Sequence, residues 1–200
     1  MANLDGRVHD KQKKGDGGYL PGQLLIAMPG MEDPRFSQSV IYLCAHNEDG
    51  AMGIIVNKVI NSLNFAELLK QMDIVPGHSK SNLEIHFGGP VDAGRGFVLH
   101  STDYESKETM KVNDNFALTG TLDVLKSIAC GDGPVDVLFA LGYAGWAAGQ
   151  LDSEMQNNGW LHCAADFGIV FGEENETKWK LAAANLGIDL SLLSTEMGHA

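Results

Sequence analysis

The segment Gln23 to Val59, QLLIAMPGMEDPRFSQSVIYLCAHNEDGAMGIIVNKV, sets an apolar run ahead of a Pro29-Gly30 break. Two more apolar runs then face each other across Asn47-Glu48-Asp49-Gly50. Asp-Gly between apolar runs is a strong hairpin signal, because tight hairpin turns require positive φ at central positions that Asn, Asp and Gly tolerate. A chain built on this segment starts as an antiparallel sheet. Side chains alternate along a strand, so Val40, Tyr42, Cys44 and His46 are expected on one face and Ile41, Leu43 and Ala45 on the other. Apolar residues on both faces predict a strand covered on both sides. The return strand is expected over Met52 to Val59, where Gly53 marks a bulge or a close backbone approach.

The rest of the chain alternates between the two kinds of element. Residues 1–18 are polar and Gly-ended and read as a disordered tail, followed by one domain over 19–200. A first strand is expected at Gln23 to Met28, and a structured loop around Asp33-Pro34. Ser62 is placed to cap a helix carrying Phe65, Leu68, Leu69 and Met72, stopped by Pro76-Gly77. Strands follow at Leu83 to Phe87 and Gly96 to His100, with a short extended piece near Asn115 to Leu118. Thr121 is placed to cap a helix over Leu122 to Ala129 that ends at Gly131. Val135 to Leu141 is a buried-type strand, and a helix is expected from Trp146 to Asn157. Trp160 to Ala164 reads as a strand, Gly168 to Phe171 as an apolar turn or short helix, and Glu176 to Asn185 as a closing helix.

Charge narrows the partners. Fourteen basic against 26 acidic side chains give a net charge of −12. Nonspecific nucleic-acid affinity comes mostly from Lys and Arg displacing phosphate counterions, so direct nucleic-acid binding is not expected. Cys44, Cys130 and Cys163 are odd in number and widely spaced, which fits reduced thiols and a cytoplasmic location. The N-terminus has no apolar core of a secretory signal, and no apolar run approaches the ~20 residues of a membrane span. No membrane association is expected, and the oligomeric state is left open.

Several blocks occur in an order that resembles one family. GQLLIAMPGMEDPRFSQSVIYLCAHNEDGAMGIIVNK is followed by HFGGPV at His86 to Val91 and GFVLHS at Gly96 to Ser101. LGYAGWAAGQLDSEMQNNGWL at Leu141 to Leu161 comes next, and then a helix around Trp179 before Gly187-Ile188-Asp189. The chain is identified by these blocks as similar to the AlgH/YqgE family of bacterial proteins over about residues 19–200. The resemblance implies an α+β fold in which a mixed, branched β-sheet partly closes into a small barrel and is surrounded by helices. It implies a regulatory label, drawn from a member linked to alginate production, and it supplies no catalytic residues.

Several residues are candidates for a site. Cys44 and His46, on one strand face, could form an activated thiol or two metal ligands; the alternative is a buried thiol beside a hydrogen-bonded histidine. His86, His100, His162 and Cys163 match no zinc spacing, and no metal or cofactor is expected. Gly88-Gly89-Pro90 could cradle an anion. Gly142-Tyr143-Ala144-Gly145-Trp146 reads as a strand-to-helix turn whose free N–H groups could hold an anion, or whose small residues serve tight packing. Gln150 and Glu154, one helical turn apart, could line a polar groove. Asn47 and Asn57 could hold the hairpin or a ligand, with bonding to backbone as the plainer account.

No complete catalytic set emerges. The reading is a non-enzymatic binding or regulatory protein that acts through a protein partner or a small polar ligand. The alternatives are a hydrolase or transferase built on Cys44 and His46 and, less favoured, a direct DNA-binding regulator.

Overall fold

The computed structural model describes residues 18–75, 83–190 and 192–193. The chain-order elements are β1 (Gln23–Ala27), β2 (Val40–Asn47), β3 (Gly50–Ile55), α1 (Phe65–Gln71), β4 (Ile85–Phe87), β5 (Val91–Ser101) and β6 (Thr109–Lys111). After these come β7 (Phe116–Thr119), α2 (Leu122–Cys130), β8 (Val137–Ala147), α3 (Gln150–Gln156), β9 (Trp160–Ala164), α4 (Phe167–Phe171) and α5 (Asn175–Ala184).

Among the described residues the strands form one sheet in the order β6-β7-β5-β8-β3-β2-β1-β9, with β4 set beside β8 off that path. The sheet curls into a half-barrel with helices against it, the mixed and branched architecture the family resemblance implied. The branch lies on β8. One edge of its first half takes β4 in parallel, pairing Ile85 to Phe139 and Phe87 to Leu141. The same edge of its second half takes β3 antiparallel, pairing Gly53 to Ala144 and Gly50 to Ala147.

One sheet face lines a core that includes Leu24, Tyr42, Cys44, Ile54, Leu99, Phe116 and Ala140, closed by Val170, Trp179 and Ala183 of α4 and α5. The other face carries two smaller cores. Leu25, Ile41, Leu43, Ala51 and Trp146 pack with Leu151 of α3. Val98 and Phe139 pack with Phe65 and Leu69 of α1 and with Val124 and Ile128 of α2. Each cluster buries apolar side chains worth about 1.5–3 kcal/mol apiece, so the sheet is held from both sides.

Two irregularities change which residues face which core. The β2–β3 register shifts between Leu43 and Ala45, so Cys44 is an extra residue and the alternation inverts beyond it. In β8, Gly142 adopts φ of 70°. Before it Phe139 faces the α1–α2 core; beyond it Ala144 and Trp146 face the α3 core while Tyr143 turns inward.

Several expected boundaries move. β3 ends at Ile55, and Val59 instead makes an isolated bridge to His86. β5 starts at Val91, since the strand resumes across an irregularity between Val91 and Gly96. The polar stretch after Ser101 contains the short strand β6. Asn64, not Ser62, caps α1 by accepting from the Glu67 N–H at 3.2 Å. Thr121 stands at the N-cap of α2 without a side-chain bond. Pro76-Gly77 and the tail over 1–17 lie outside the described residues.

Gly142 to Trp146 do not form the expected strand-to-helix turn. These residues are interior to β8, which runs on to Ala147, and the helix begins only at Gln150 after Gly149 with φ of 69°. There is no helix N-terminus at Gly142 to Trp146, and the anion-holding turn expected there is not formed.

Candidate functional site

Cys44 and His46 are separated by the bulge. Cys44 is buried in the inner core, and its thiol lies 3.6 Å from the Tyr42 carbonyl as a donor. Burial pushes the thiol up to about 12, so it remains protonated and unreactive at neutral pH. His46 pairs with Ala51, on the α3 side of the sheet. Its Nδ1 accepts the Leu20 N–H at 3.3 Å, its Nε2 lies 3.6 Å from Asp152 Oδ1, and Tyr19 packs edge-on against the ring at 5.1 Å. The expectation that the two side chains share a face is overturned, and with it the geometry of a Cys44–His46 dyad or ligand pair.

The asparagines serve the backbone. Asn57 accepts the Val40 N–H at 2.8 Å and donates to the Gln38 carbonyl at 2.9 Å. That pins the loop before β2, where Gln38 has φ of 54°. Asn47 accepts the Asp49 N–H at 2.9 Å and shapes the hairpin turn.

Gly88, Gly89 and Gly142 build the branch point. The Gly88 N–H donates to Leu141 O at 2.8 Å and its carbonyl accepts from Ile55 at 2.9 Å, so strand pairing uses both groups. A Cβ on Gly88 would collide with the Gly142 carbonyl, and one on Gly142 with the Gly89 carbonyl. Glycine is required there by the crossing backbones, and the cradle expected at Gly88-Gly89 has its amide at Gly88 already paired.

Trp146, Gln150 and Glu154 do come together. Glu154 Oε2 accepts the indole N–H of Trp146 at 2.9 Å and of Trp160 at 2.8 Å, while Oε1 accepts Gln150 Nε2 at 2.8 Å. Gln150 in turn accepts the Ala147 N–H at 3.0 Å. Gly145 and these residues line a shallow cleft of about 360 Å³ with Arg35, whose guanidinium grips Asp33 and holds that carboxyl below its usual range. Both carboxylate oxygens of Glu154 accept hydrogen bonds from within the protein, which makes the cluster a brace between β8, α3 and β9.

A wider groove of about 630 Å³ opens at the mouth of the half-barrel, between the β2–β3 hairpin and β5–β6. Asn47, Tyr143, Gly145 and Trp146 line it, joined by Arg95, Phe97 and Met110, which sequence reasoning missed. Tyr143 meets Phe97 edge-on at 5.7 Å, and Arg95 lies over the Phe97 ring at 5.0 Å. Three carboxylates, Asp49, Asp92 and Glu108, line the groove against the single guanidinium of Arg95. The lining comes from β2, β3, β5, β6, β7 and β8 and the turns beside them, remote in sequence, so no local motif could have grouped these residues.

Chemistry-bearing residues also gather near the other end of β8. His86, Asn175 and Glu84 form a chain: His86 Nε2 is 3.2 Å from Asn175 Oδ1, and Asn175 Nδ2 donates to Glu84 at 2.8 Å. Burial pulls the His86 imidazole below its ordinary value. His100 pairs with Thr119 at 2.9 Å and His162 with Gln23 at 2.7 Å, in separate places. No cluster of three or more His, Cys, Asp or Glu able to hold a metal is present among the described residues. No described helix is long and apolar enough to cross a membrane.

The half-barrel with its branch on β8 and helices against it is the fold of the chain. The AlgH-like family model matches residues 24–191. The chain therefore belongs to the AlgH-like family. It is 54% identical over 193 residues to a UPF0301 protein of Rhodopseudomonas palustris, covering 92% of this chain and 88% of that one. A UPF0301 protein of Rhodospirillum rubrum is 52% identical over 183 residues, covering 92% and 95%. The solution structure of the AlgH protein from Pseudomonas aeruginosa superimposes with a TM-score of 0.76 at 45% identity, covering 94% of this chain and all of that one. A crystal structure of a Corynebacterium diphtheriae protein shares the fold at 21% identity, with a TM-score of 0.70 over 88% of this chain and 92% of that one.

Proposed function

We propose that the chain is a non-enzymatic binding protein whose working surface is the groove at the half-barrel mouth, and that its partner is a protein segment carrying basic and apolar side chains. The observation that carries this reading is the groove's composition: an apolar floor of Met52, Phe97, Met110 and Tyr143, with carboxylates outnumbering the one guanidinium. A basic segment gains from that balance and from the chain's net charge of −12, which steers a cationic partner toward it. The regulatory label of the family fits a protein that acts by capturing another protein.

Two other readings are less well supported. A hydrolase or transferase using Cys44 and His46 lacks its nucleophile–base contact, because the bulge puts the two groups on opposite faces. A direct DNA-binding regulator meets the same excess of negative charge.

The test is a photo-cross-linking amino acid placed at Met110 in the groove and, separately, at Leu122 on α2, in cells of the native host. The expected result is a discrete adduct from position 110 alone, lost when Asp92→Lys and Glu108→Lys are added. Equal adducts from both positions, or none from 110, would overturn the groove as the binding surface.

A further inference from the structure

The groove leaves unexplained a buried amine near the opposite end of β8. A cleft of about 410 Å³ lies between β4, the start of β8 and the α4–α5 connection, lined among others by Glu84, His86, Asp136, Glu173, Asn175 and Lys178. Lys178 is only 3% exposed. Its Nζ donates to the carbonyls of Val56 at 3.0 Å and Val170 at 2.8 Å, both neutral acceptors. An ammonium taken out of water against neutral carbonyls is costly, and the side chain responds by giving up its proton more readily. Desolvation brings the amine down to about 8, against a partial counter-pull from Glu84 and Glu173.

A neutral amine has two N–H groups and one lone pair. With both N–H groups spent on Val56 and Val170, the lone pair occupies the remaining tetrahedral direction, on a side chain that lines the cleft. We propose that Lys178 is a covalent capture site for a small aldehyde that carries no negative charge, which enters this cleft and forms an imine with Nζ. The size follows from the cleft volume. The exclusion of an anion follows from its lining, where Glu84, Asp136 and Glu173 repel negative charge.

The step balances without an oxidant or reductant. The Nζ lone pair forms the C–N bond as the carbonyl π pair moves to oxygen. That oxygen then leaves as water with the two amine hydrogens, and a C=N bond replaces the broken C–O bond. A lysine lowered to about 8 holds roughly 200 times more neutral amine at pH 7.5 than an ordinary lysine. Part of that gain is offset by lower nucleophilicity, leaving an expected rate advantage of about tenfold.

The experiment exposes the full folded chain to butyraldehyde with cyanoborohydride, which reduces the imine to a stable amine, and maps the adducts by peptide mass spectrometry. The expected result is labelling of Lys178 at least about tenfold faster than Lys111 or Lys126, with a half-maximal rate near pH 8. Glyoxylate, an anionic aldehyde, should react about tenfold more slowly at Lys178, and Glu173→Gln should narrow that gap. Labelling of exposed lysines with Lys178 untouched until urea is added would overturn the proposal and leave Lys178 a purely structural tether. Equal labelling of all three lysines would overturn it as well.

Discussion

Trp146 and Trp160 donate their indole N–H groups to one and the same oxygen, Glu154 Oε2, with the two rings edge-on at 5.9 Å. One carboxylate thus ties the branch strand β8 to the edge strand β9 through α3. Glu154→Ala strands two largely buried donors, and should lower unfolding free energy by about 2–4 kcal/mol. Glu154→Gln keeps an acceptor in place and should cost about half as much. Urea unfolding followed by tryptophan fluorescence measures both.

The branch point makes a sharper demand. Gly142→Ala adds a Cβ against the Gly89 carbonyl at a residue with φ of 70°, and should cost more than about 3 kcal/mol. Gly149 has nearly the same φ of 69° but open space around it, so Gly149→Ala should cost only about 1 kcal/mol of backbone strain. Comparing the two melting temperatures separates crowding from conformation.

Thiol reactivity should rank by burial. Cys130 is exposed, while Cys44 is buried with its thiol raised to about 12. Timed alkylation at pH 8 is expected to modify Cys130 in the folded protein and Cys44 only on unfolding. Rapid native modification of Cys44 would restore the nucleophile that the bulge removes.

Lys178 should leave a mark on stability against pH. Its folded value is about 8, below the ordinary 10.5 of the unfolded chain. Between those values the unfolded state binds the extra proton, so the contribution of this group to stability rises with pH through that window. Cys44 works the other way above pH 9, because its folded value is raised. The difference between wild type and Lys178→Met isolates the lysine: the wild type should gain on the variant from pH 8 to 10.5. A difference that stays flat contradicts a depressed amine.

The hairpin was legible in its place but not in its turn: the turn falls on Glu48-Asp49, neither at positive φ, while Gly50, with φ of 140°, already pairs with Asn47 as the first residue of β3. Gly53 correctly marked a close approach: a Cβ there would meet the Tyr42 carbonyl at 2.9 Å. The consequence for Cys44 was not legible. One extra residue inverts strand alternation without any change in composition, so nothing local announces that His46 turns to the other face. Gly142 and Gly145 interrupt an apolar run and read as a turn, yet β8 continues because Gly142 lets the Gly89 backbone pass. Lys178 was invisible for another reason. Between Thr177 and Trp179 it reads as a solvated helix position, and only the packing of α5 into the half-barrel buries it.

The groove between the β2–β3 hairpin and β5–β6 is the proposed working surface. Hydrogen–deuterium exchange on the full chain, with and without the partner captured through position 110, tests it most directly. Protection is expected over residues 45–52, 91–97, 108–111 and 143–146. Unchanged exchange there, with protection instead on α1 and α2, would rule the groove out as the binding surface.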